Sequence, residues 1–270
     1  VRALRKGRVA AKTDAAWALH NLARPQRDNG ANRIAIAEAG GIPPLVDLLR
    51  DGRVEAKEEA ARALGTLAHN DDANKVAIAE AGGIPPLVEL LRDGSAEAKL
   101  TVARALHFLA YAAGNRVLIA EAHGIPPLVA LLRDGNADAK LEAAAALRYL
   151  AYNAANKVLI AEAGGIPPLV QLMRDGGVSA RSDAEWALRL LARNNDANAV
   201  AIAAVGFEAL VELARRGRVT VNNRSIVENA ALPAKRKAAL VVAALIRTCV
   251  PDEKRSQVRD LIRAVIGPYL

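Results

Sequence analysis

The chain has 270 residues, of which 52% are hydrophobic and 3% aromatic, and its formal net charge is +8. Every apolar stretch is interrupted by a charge or a Pro-Pro pair before it is long enough to span a bilayer, so no membrane span is predicted, and no secretory signal opens the chain. The single cysteine, Cys249, cannot form an internal disulfide, which favours a reducing cytoplasmic or nuclear location.

The positive charge is concentrated at the C-terminal end. Residues 1–214 contain 25 basic and 25 acidic residues, whereas residues 215–270 contain 12 basic and 4 acidic ones. Basicity spread over a whole domain favours nucleic-acid binding. A neutral array with a basic end favours it much less.

The predicted elements recur at a regular interval along the chain. The tripeptide Ile-Pro-Pro begins at Ile42, Ile84, Ile125 and Ile166. A degenerate copy, Phe207-Glu208-Ala209, follows one further interval along. A period of this length, without strand-like alternation, predicts an all-α solenoid of stacked repeats.

The repeat also predicts how the chain is divided. Residues 1–24 align without a gap on residues 46–69, so the chain opens inside a repeat. We therefore expect a further repeat or a separate domain upstream. The predicted segments are a partial repeat at 1–24, repeats at 25–69, 70–111, 112–152 and 153–193, a degenerate terminal repeat at 194–250 with an insertion at 217–232, and a capping helix at 251–270.

Each repeat is predicted to contain three helices. In the repeat at 70–111, Asn74 caps a first helix that ends at Gly82-Gly83, because glycine tolerates the left-handed conformation of a C-terminal cap. Pro85-Pro86 opens the second helix, and the third runs from about Ala96 to Tyr111. His123 replaces the first glycine of one such turn and is read as turn variation. The capping asparagine is predicted at Asn32, Asn74, Asn115, Asn156 and Asn198.

The period breaks after Arg216. A polar insertion, Gly217 to Leu232, is followed by a predicted helix from about Ala234 to Thr248 and by a final amphipathic helix after Pro251. Capping the end of the solenoid is the main interpretation, since a terminal repeat needs a polar outer face. Binding of nucleic acid or an anionic membrane by this basic end is the alternative.

The pattern N-x-x-x-I-x-x-x-G-G-I-P-P-L-V-x-L-L, followed by an Ala/Leu-rich third helix, resembles the armadillo repeat family over residues 1–216. HEAT repeats are the second choice, because they lack the short first helix. The resemblance implies a right-handed superhelix whose third helices line a concave groove for partner proteins. In family members that bind extended peptides, the third helix carries Trp and, four residues later, Asn.

Only the first third helix of this chain keeps the family pattern, with Trp17 and Asn21. The Trp position is otherwise occupied by Arg62, Arg104, Ala145 and Trp186, and the Asn position by Thr66, Phe108, Tyr149 and Leu190. The same face carries His20, Arg24, His69, His107, Tyr111, Arg148, Tyr152, Arg189 and Arg193. The predicted groove comprises Trp17, His20, Asn21, Arg62, Thr66, Arg104, His107, Phe108, Tyr111, Arg148, Tyr149, Tyr152, Trp186, Arg189 and Arg193.

Aromatic and basic side chains on one face predict a protein-interaction scaffold that binds an extended acidic or phosphorylated peptide, with Arg104, Arg148 and Arg189 as carboxylate partners. Alternatively, these side chains fill space between third helices or cap their C-terminal ends. No catalytic, metal or cofactor motif is present in the sequence, so the chain itself is predicted to be non-enzymatic. A further alternative is the recognition part of a larger enzyme, such as a ubiquitin ligase.

Overall fold

The computed structural model describes residues 1–24 and 30–215, with the last ten of these described as backbone only. Helices joined by short turns account for the described residues, without a strand among them. In chain order they are α1 (Arg2–Lys6), α2 (Val9–Ala23), α3 (Gly30–Glu38), α4 (Ile42–Asp51), α5 (Val54–Ala68), α6 (Asp72–Glu80), α7 (Ile84–Asp93), α8 (Ala96–Leu109), α9 (Ala113–Glu121), α10 (Ile125–Asp134), α11 (Ala137–Leu150), α12 (Ala154–Glu162), α13 (Ile166–Asp175), α14 (Val178–Ala192) and α15 (Asp196–Arg215).

The helices follow the predicted order of first, second and third helix. First helices are α3, α6, α9 and α12, second helices are α4, α7, α10 and α13, and third helices are α2, α5, α8, α11 and α14. This order confirms the all-α fold with three helices per repeat. The chain forms two compact units, Val1–Ala163 and a second that begins at Gly164.

Glycine and proline separate the helices as predicted. Gly82 has a φ of +74°, in the left-handed region, and the second helix α7 follows at once with its prolines in the first turn. His123 takes the equivalent position with a φ of +58°. His123 therefore adopts the left-handed conformation that glycine has in the other turns, as expected for a variant of the same turn.

The predicted capping role of the recurrent asparagines is wrong. Asn74, Asn115 and Asn156 lie inside their helices, and the caps are provided by earlier residues, such as Asp71 and Asn153. The buried amide of Asn115 instead donates to the backbone oxygens of Leu109 and Lys75, at 3.1 and 3.0 Å. The carbonyl of Leu109 ends α8 and has no partner within that helix, so the buried amide satisfies it. The bond to Lys75 reaches the first helix α6 of the preceding repeat.

Small residues allow the third helices to pack closely. Gly65 on α5 is buried, and a Cβ atom at this position would lie 3.0 Å from the Cβ atom of Ala105 on α8. Ala143, Ala144 and Ala146 on α11 are fully buried. With little side-chain volume inside, the outward side chains of neighbouring third helices lie near one another.

The degenerate repeat lacks the break that separates the first and second helices in the other repeats. The single helix α15 continues through this position. Val205 stands where other repeats have a residue with positive φ, and a β-branched residue strongly disfavours that conformation. The insertion at 217–232, the helix from Ala234 to Thr248 and the capping helix at 251–270 lie outside the described residues.

Candidate functional site on the third helices

Four third helices pack side by side in the first unit, in the order α2, α5, α8 and α11. We call the surface formed by their outward side chains the third-helix face. The predicted groove residues of the first unit all lie on this face. Tyr111 and Tyr152 belong to it although they lie in the turns just after α8 and α11. The remaining three, Trp186, Arg189 and Arg193, belong to the second unit and are described separately.

A cavity of about 410 Å³ lies between α2, α5 and α8. Its lining includes one carboxylate, that of Glu97, and the hydroxyl of Thr66. We call it the basic cavity, after lining residues that include His20, Arg24, Arg62, His69 and Arg104, beside Phe108. The sequence predicted these positions on one face, and the structure brings them around one space.

Both histidines of the basic cavity are held towards their neutral form. Burial, followed by the charges of Arg62 and Arg24, lowers the pKa of His20 below its usual value. Burial also lowers the pKa of His69, which lies near Arg33, Lys75 and His107. A cavity that already contains several positive charges therefore disfavours two more.

Thr66 links His20 to the backbone of α5. Its hydroxyl oxygen lies 2.9 Å from the backbone oxygen of Arg62 and 2.8 Å from Nδ1 of His20. When the hydroxyl hydrogen is donated to Arg62, Nδ1 of His20 is the donor to Thr66. This contact fixes the position of the His20 ring at the edge of the cavity.

Beside the cavity, aromatic rings form a continuous cluster on α8, α11 and the turns after them. The rings of Tyr111 and Tyr149 stack with centroids 4.0 Å apart, and His107 stacks on Tyr149 at 5.6 Å. The edge-on contact between His69 and Phe108, at 4.7 Å, joins the cluster to the basic cavity. We call this cluster the aromatic stack, which consists of His69, His107, Phe108, Tyr111, Tyr149 and Tyr152.

Three cations lie over the tyrosines of the aromatic stack. Arg148 lies 5.0 Å from the ring centre of Tyr149, within the range of cation–π attraction. Lys75 and Arg116 lie 5.1 and 5.2 Å from the rings of Tyr111 and Tyr152. These two residues come from first helices, so the search for groove residues on third helices missed them. Their signal was the basic residue that follows four of the five recurrent asparagines, at Arg33, Lys75, Arg116 and Lys157.

Glu142 on α11 is bound by two side chains of α8. It accepts hydrogen bonds from Nε of Arg104, over 2.7 Å, and from Nδ1 of His107, over 3.1 Å. Burial alone would raise the pKa of Glu142, but these two hydrogen bonds and the positive charges behind them outweigh burial and lower it. Arg104, expected to bind a ligand carboxylate, is therefore already paired with a carboxylate of the chain.

The second unit repeats this arrangement on a smaller scale. Arg189 pairs with Glu185 over 2.6 Å and lies 5.5 Å from the ring of Trp186. The ring of Trp186 is 43% exposed, and Arg193 at the end of α14 is exposed. Arg189 thus shares with Arg104 a carboxylate partner within its own chain.

The family's asparagine ladder is absent from the described third helices beyond α2. Leu190, at the Asn position of α14, and Ala145, at the Trp position of α11, are apolar and buried, so neither can bind a peptide backbone. Asn21 donates its amide to the backbone oxygen of Trp17, over 2.9 Å, while the ring of Trp17 is 58% exposed. In place of an asparagine ladder, α5, α8 and α11 present the aromatic stack and the basic cavity at the third-helix face.

Other kinds of site find little support in the described part of the chain. Within it, no group of three or more His, Cys, Asp or Glu residues could hold a metal ion. No helix of residues 1–24 and 30–215 is long and apolar enough to cross a membrane.

Solved structures of designed armadillo repeat proteins are similar along most of the chain. One is 25% identical, with a TM-score of 0.71, over 90% of this chain and 97% of that one. A second, computationally designed for modular peptide recognition, is 26% identical, with a TM-score of 0.71, over 89% and 97%. A third, in complex with the peptide (KR)4, is 25% identical, with a TM-score of 0.70, over 90% and 97%. The fold is that of an armadillo repeat protein.

The sequence profile of one family narrows this class. The profile described as the plant U-box protein ARM repeat region matches residues 1–191. The chain belongs to this family. A comparison with curated proteins gives no match.

Proposed function

We propose that the chain is a protein-interaction scaffold that holds an extended segment of a partner protein against its third-helix face. The aromatic stack carries this proposal, because Tyr111 and Tyr152 are 43% and 48% exposed within a continuous cluster of rings. Large rings gathered on a surface are typical of the centre of a binding interface. The design of one similar protein for modular peptide recognition supports the proposal.

We propose further that the bound segment is acidic or phosphorylated. Arg116 and Arg148 lie over the tyrosines, so an anionic side chain beside an aromatic anchor would meet a cation. Lys75 contributes less, because its ammonium group is buried and already bound to Asp72 over 2.6 Å. The peptide (KR)4 held by one similar protein is basic, which is the opposite charge. A carboxylate of the partner gains less from Arg104 and Arg189 than the sequence suggested, because each already pairs with a carboxylate of this chain.

Replacing Tyr149 by alanine tests the proposal. Peptides selected from a displayed library against the whole chain supply the ligand. Loss of a stacked ring from the centre of an interface is expected to weaken binding by about thirty-fold, or about 2 kcal/mol. Fluorescence anisotropy measures the dissociation constant, and thermal unfolding checks that the melting temperature stays within a few degrees.

Val54→Ala is the matched control, because Val54 is 59% exposed at the start of α5 and lies outside the aromatic stack. Its affinity for the same peptide should equal that of the wild type. Equal affinity of the wild type and of the stably folded Tyr149→Ala variant would contradict the proposal.

The family suggests a wider setting. We propose that the chain serves as the recognition part of a U-box ubiquitin ligase, since the matching profile describes the repeat region of plant U-box proteins. In the protein encoded by the full gene, ubiquitin transfer to a bound partner should then fall in the Tyr149→Ala variant. Transfer that is indifferent to this change would count against the role.

Binding of nucleic acid or an anionic membrane through residues 215–270 stays a prediction from the sequence. Such binding should weaken steeply as salt rises, because phosphate contacts release counterions. Loss of a captured partner after nuclease treatment would favour it over the scaffold.

A further inference from the structure

The lining of the basic cavity brings three arginines together with one carboxylate, that of Glu97. Arg62 comes from α5, Arg104 from α8, and Arg24 from the end of α2. Two further carboxylates lie beside these arginines: Glu59 is 3.8 Å from Arg62, as Glu97 is, and Glu142 binds Arg104. Two histidines held towards their neutral form also line the cavity. An anion in this space would meet guanidinium groups from three helices, in competition with these carboxylates.

Two buried nitrogen atoms of the cavity residues lack a hydrogen-bond partner in the structure. They are Nε of Arg62 and Nδ1 of His69. The carboxylates near Arg62 lie at 3.8 Å, which is longer than a hydrogen bond. Buried polar groups without a partner are uncommon and unfavourable. The side chain of Arg62 is still 34% exposed, so a ligand can reach its guanidinium group.

The chemistry of the lining favours a phosphoryl group over a carboxylate. A phosphoryl group carries a charge near −2 and three acceptor oxygens at neutral pH. It can therefore accept hydrogen bonds from several helices at once and compete with the carboxylates already present. A carboxylate of the ligand would carry the same single charge as Glu59, Glu97 and Glu142, and it would therefore have no advantage over them in binding the arginines.

We propose that the basic cavity is a phosphoryl-binding subsite of the third-helix face, in which Arg62 and Arg104 bind the phosphoryl oxygens and His20 and His69 take up protons when it is filled. This inference rests on the proposed function, since the phosphoryl group is that of the bound peptide. Phe108 belongs both to the cavity and to the aromatic stack, so one extended segment can fill the two sites.

Proton uptake follows from the charges that face the two histidines. His20 faces Arg62 and Thr66 on α5 and Arg24 at the end of its own helix. His69 faces Arg33 on α3, Lys75 on α6, and His107 with Phe108 on α8. In the free protein burial, followed by the nearby charges of Arg62 and Arg24 for His20 and of Arg33 and Lys75 for His69, lowers the pKa of both histidines. A bound dianion reverses the local sign and favours their charged forms.

Phenyl phosphate is the probe, with benzoate as the carboxylate of similar size. Ring resonances of the four histidines in the whole chain are assigned by single His→Gln variants and titrated against pH by NMR. Phenyl phosphate should move the midpoints of His20 and His69 upward and leave that of exposed His123 unchanged. Benzoate at the same concentration should move neither. Unmoved midpoints, or an equal movement of His123, would overturn the subsite.

Arg62→Gln tests the site by affinity, and Arg133→Gln, at an exposed position on α10, is its matched control. The dissociation constant for phenyl phosphate should rise at least ten-fold in the first variant and stay unchanged in the second. If Arg62→Gln fails to fold, His20→Gln must take up fewer protons than the wild type, which calorimetry in two buffers of different ionisation enthalpy measures. Uptake in that variant equal to that of the wild type overturns the proposal.

The failure of this inference can be told apart from that of the scaffold. A chain that binds phenyl phosphate but no peptide keeps the subsite and loses the scaffold, whereas a chain that binds only unphosphorylated peptide loses the subsite. Vesicles with phosphoinositide that bind the wild type but not Arg62→Gln would assign the cavity to a lipid headgroup and overturn the peptide assignment.

Discussion

At the scale of single residues, buried amides hold adjoining repeats together. Asn115 and Asn156 each donate one amide group to two carbonyls, one at the end of the preceding third helix and one 40 residues earlier in the chain. The second contact crosses from one repeat to the next. In the sequence, an asparagine near the start of a helix fits two roles, the capping residue or a buried amide inside the first turn. The two positions differ by only three residues, so the pattern alone favoured the cap.

Replacing Asn115 by alanine should lower the free energy of unfolding by about 2 kcal/mol, because the change leaves the backbone oxygens of Leu109 and Lys75 without the buried amide that they share. Asn32→Ala is the control, because Asn32 is exposed and donates one hydrogen bond, to Leu22. Urea unfolding measures both variants. Equal losses in the two would show that the buried contact between repeats adds nothing.

The pH dependence of stability tests the two histidines of the basic cavity. Their pKa values are lowered in the folded chain, so the unfolded chain binds more protons once the pH falls below about 6.5. Stability is therefore fully present above that pH and decreases as the pH falls towards the folded values. Urea unfolding should give a smaller free energy at pH 5.5 than at pH 7.5.

The double variant His20→Gln/His69→Gln should lose part of this difference, while His123→Gln, at an exposed turn, should keep it. Glu142 does not contribute to the difference in stability between pH 5.5 and pH 7.5. Its pKa is lowered from an ordinary value of 4.5, so the stability that it adds to the folded chain is lost only at more acid pH. A wild-type chain that is equally stable at both pH values would contradict the charge balance described for the cavity.

Residue roles were predictable from sequence only where they depend on nearby residues. The left-handed glycines and the opening prolines act within their own turn, and the structure has them as predicted. The pairing of Arg104 with Glu142 joins residues 38 positions apart, and the position of Lys75 over Tyr111 depends on the packing of two different helices. Neither of these two contacts can be inferred from the distance between the residues in the sequence.

At the scale of elements, the distance between third helices determines whether their side chains can form one site. Gly65 lets α5 approach Ala105 on α8, and His69 at the end of α5 then reaches Phe108 on α8. Polar bridges cross the same boundary, since Ser95 donates to Glu58 over 2.7 Å. The aromatic stack is therefore a consequence of small residues in the interior.

Replacing Gly65 by leucine should separate α5 from α8. The new side chain meets Ala105 within 3.0 Å at its first carbon, and overpacking of this kind costs about 1–3 kcal/mol. Gly114→Ala on α9 is the control, because nothing lies within 4 Å of its added carbon and alanine favours a helix by about 1 kcal/mol. Calorimetry should show a lower melting temperature for the first and a slightly higher one for the second. A rise for both would show that α5 and α8 have room to spare.

At the scale of the whole molecule, the regular period of the repeat was sufficient to predict the fold. Each repeat satisfies the same apolar and turn pattern, so four copies predict one architecture more firmly than any single helix could. The helices differ from those of the other repeats where the sequence departs from the pattern, as at Val205, through which α15 continues. The groove was harder to predict, because it consists of the positions that differ between repeats.

Footprinting of aromatic side chains by hydroxyl radicals tests the central claim most directly. The whole chain is oxidised with and without a selected peptide, and mass spectrometry measures the modification of each tyrosine and tryptophan. The scaffold account predicts that the peptide protects Tyr111 and Tyr152, which are exposed in the free chain. Protection of Tyr269, in the basic C-terminal segment, with Tyr111 and Tyr152 oxidised as before, would contradict it.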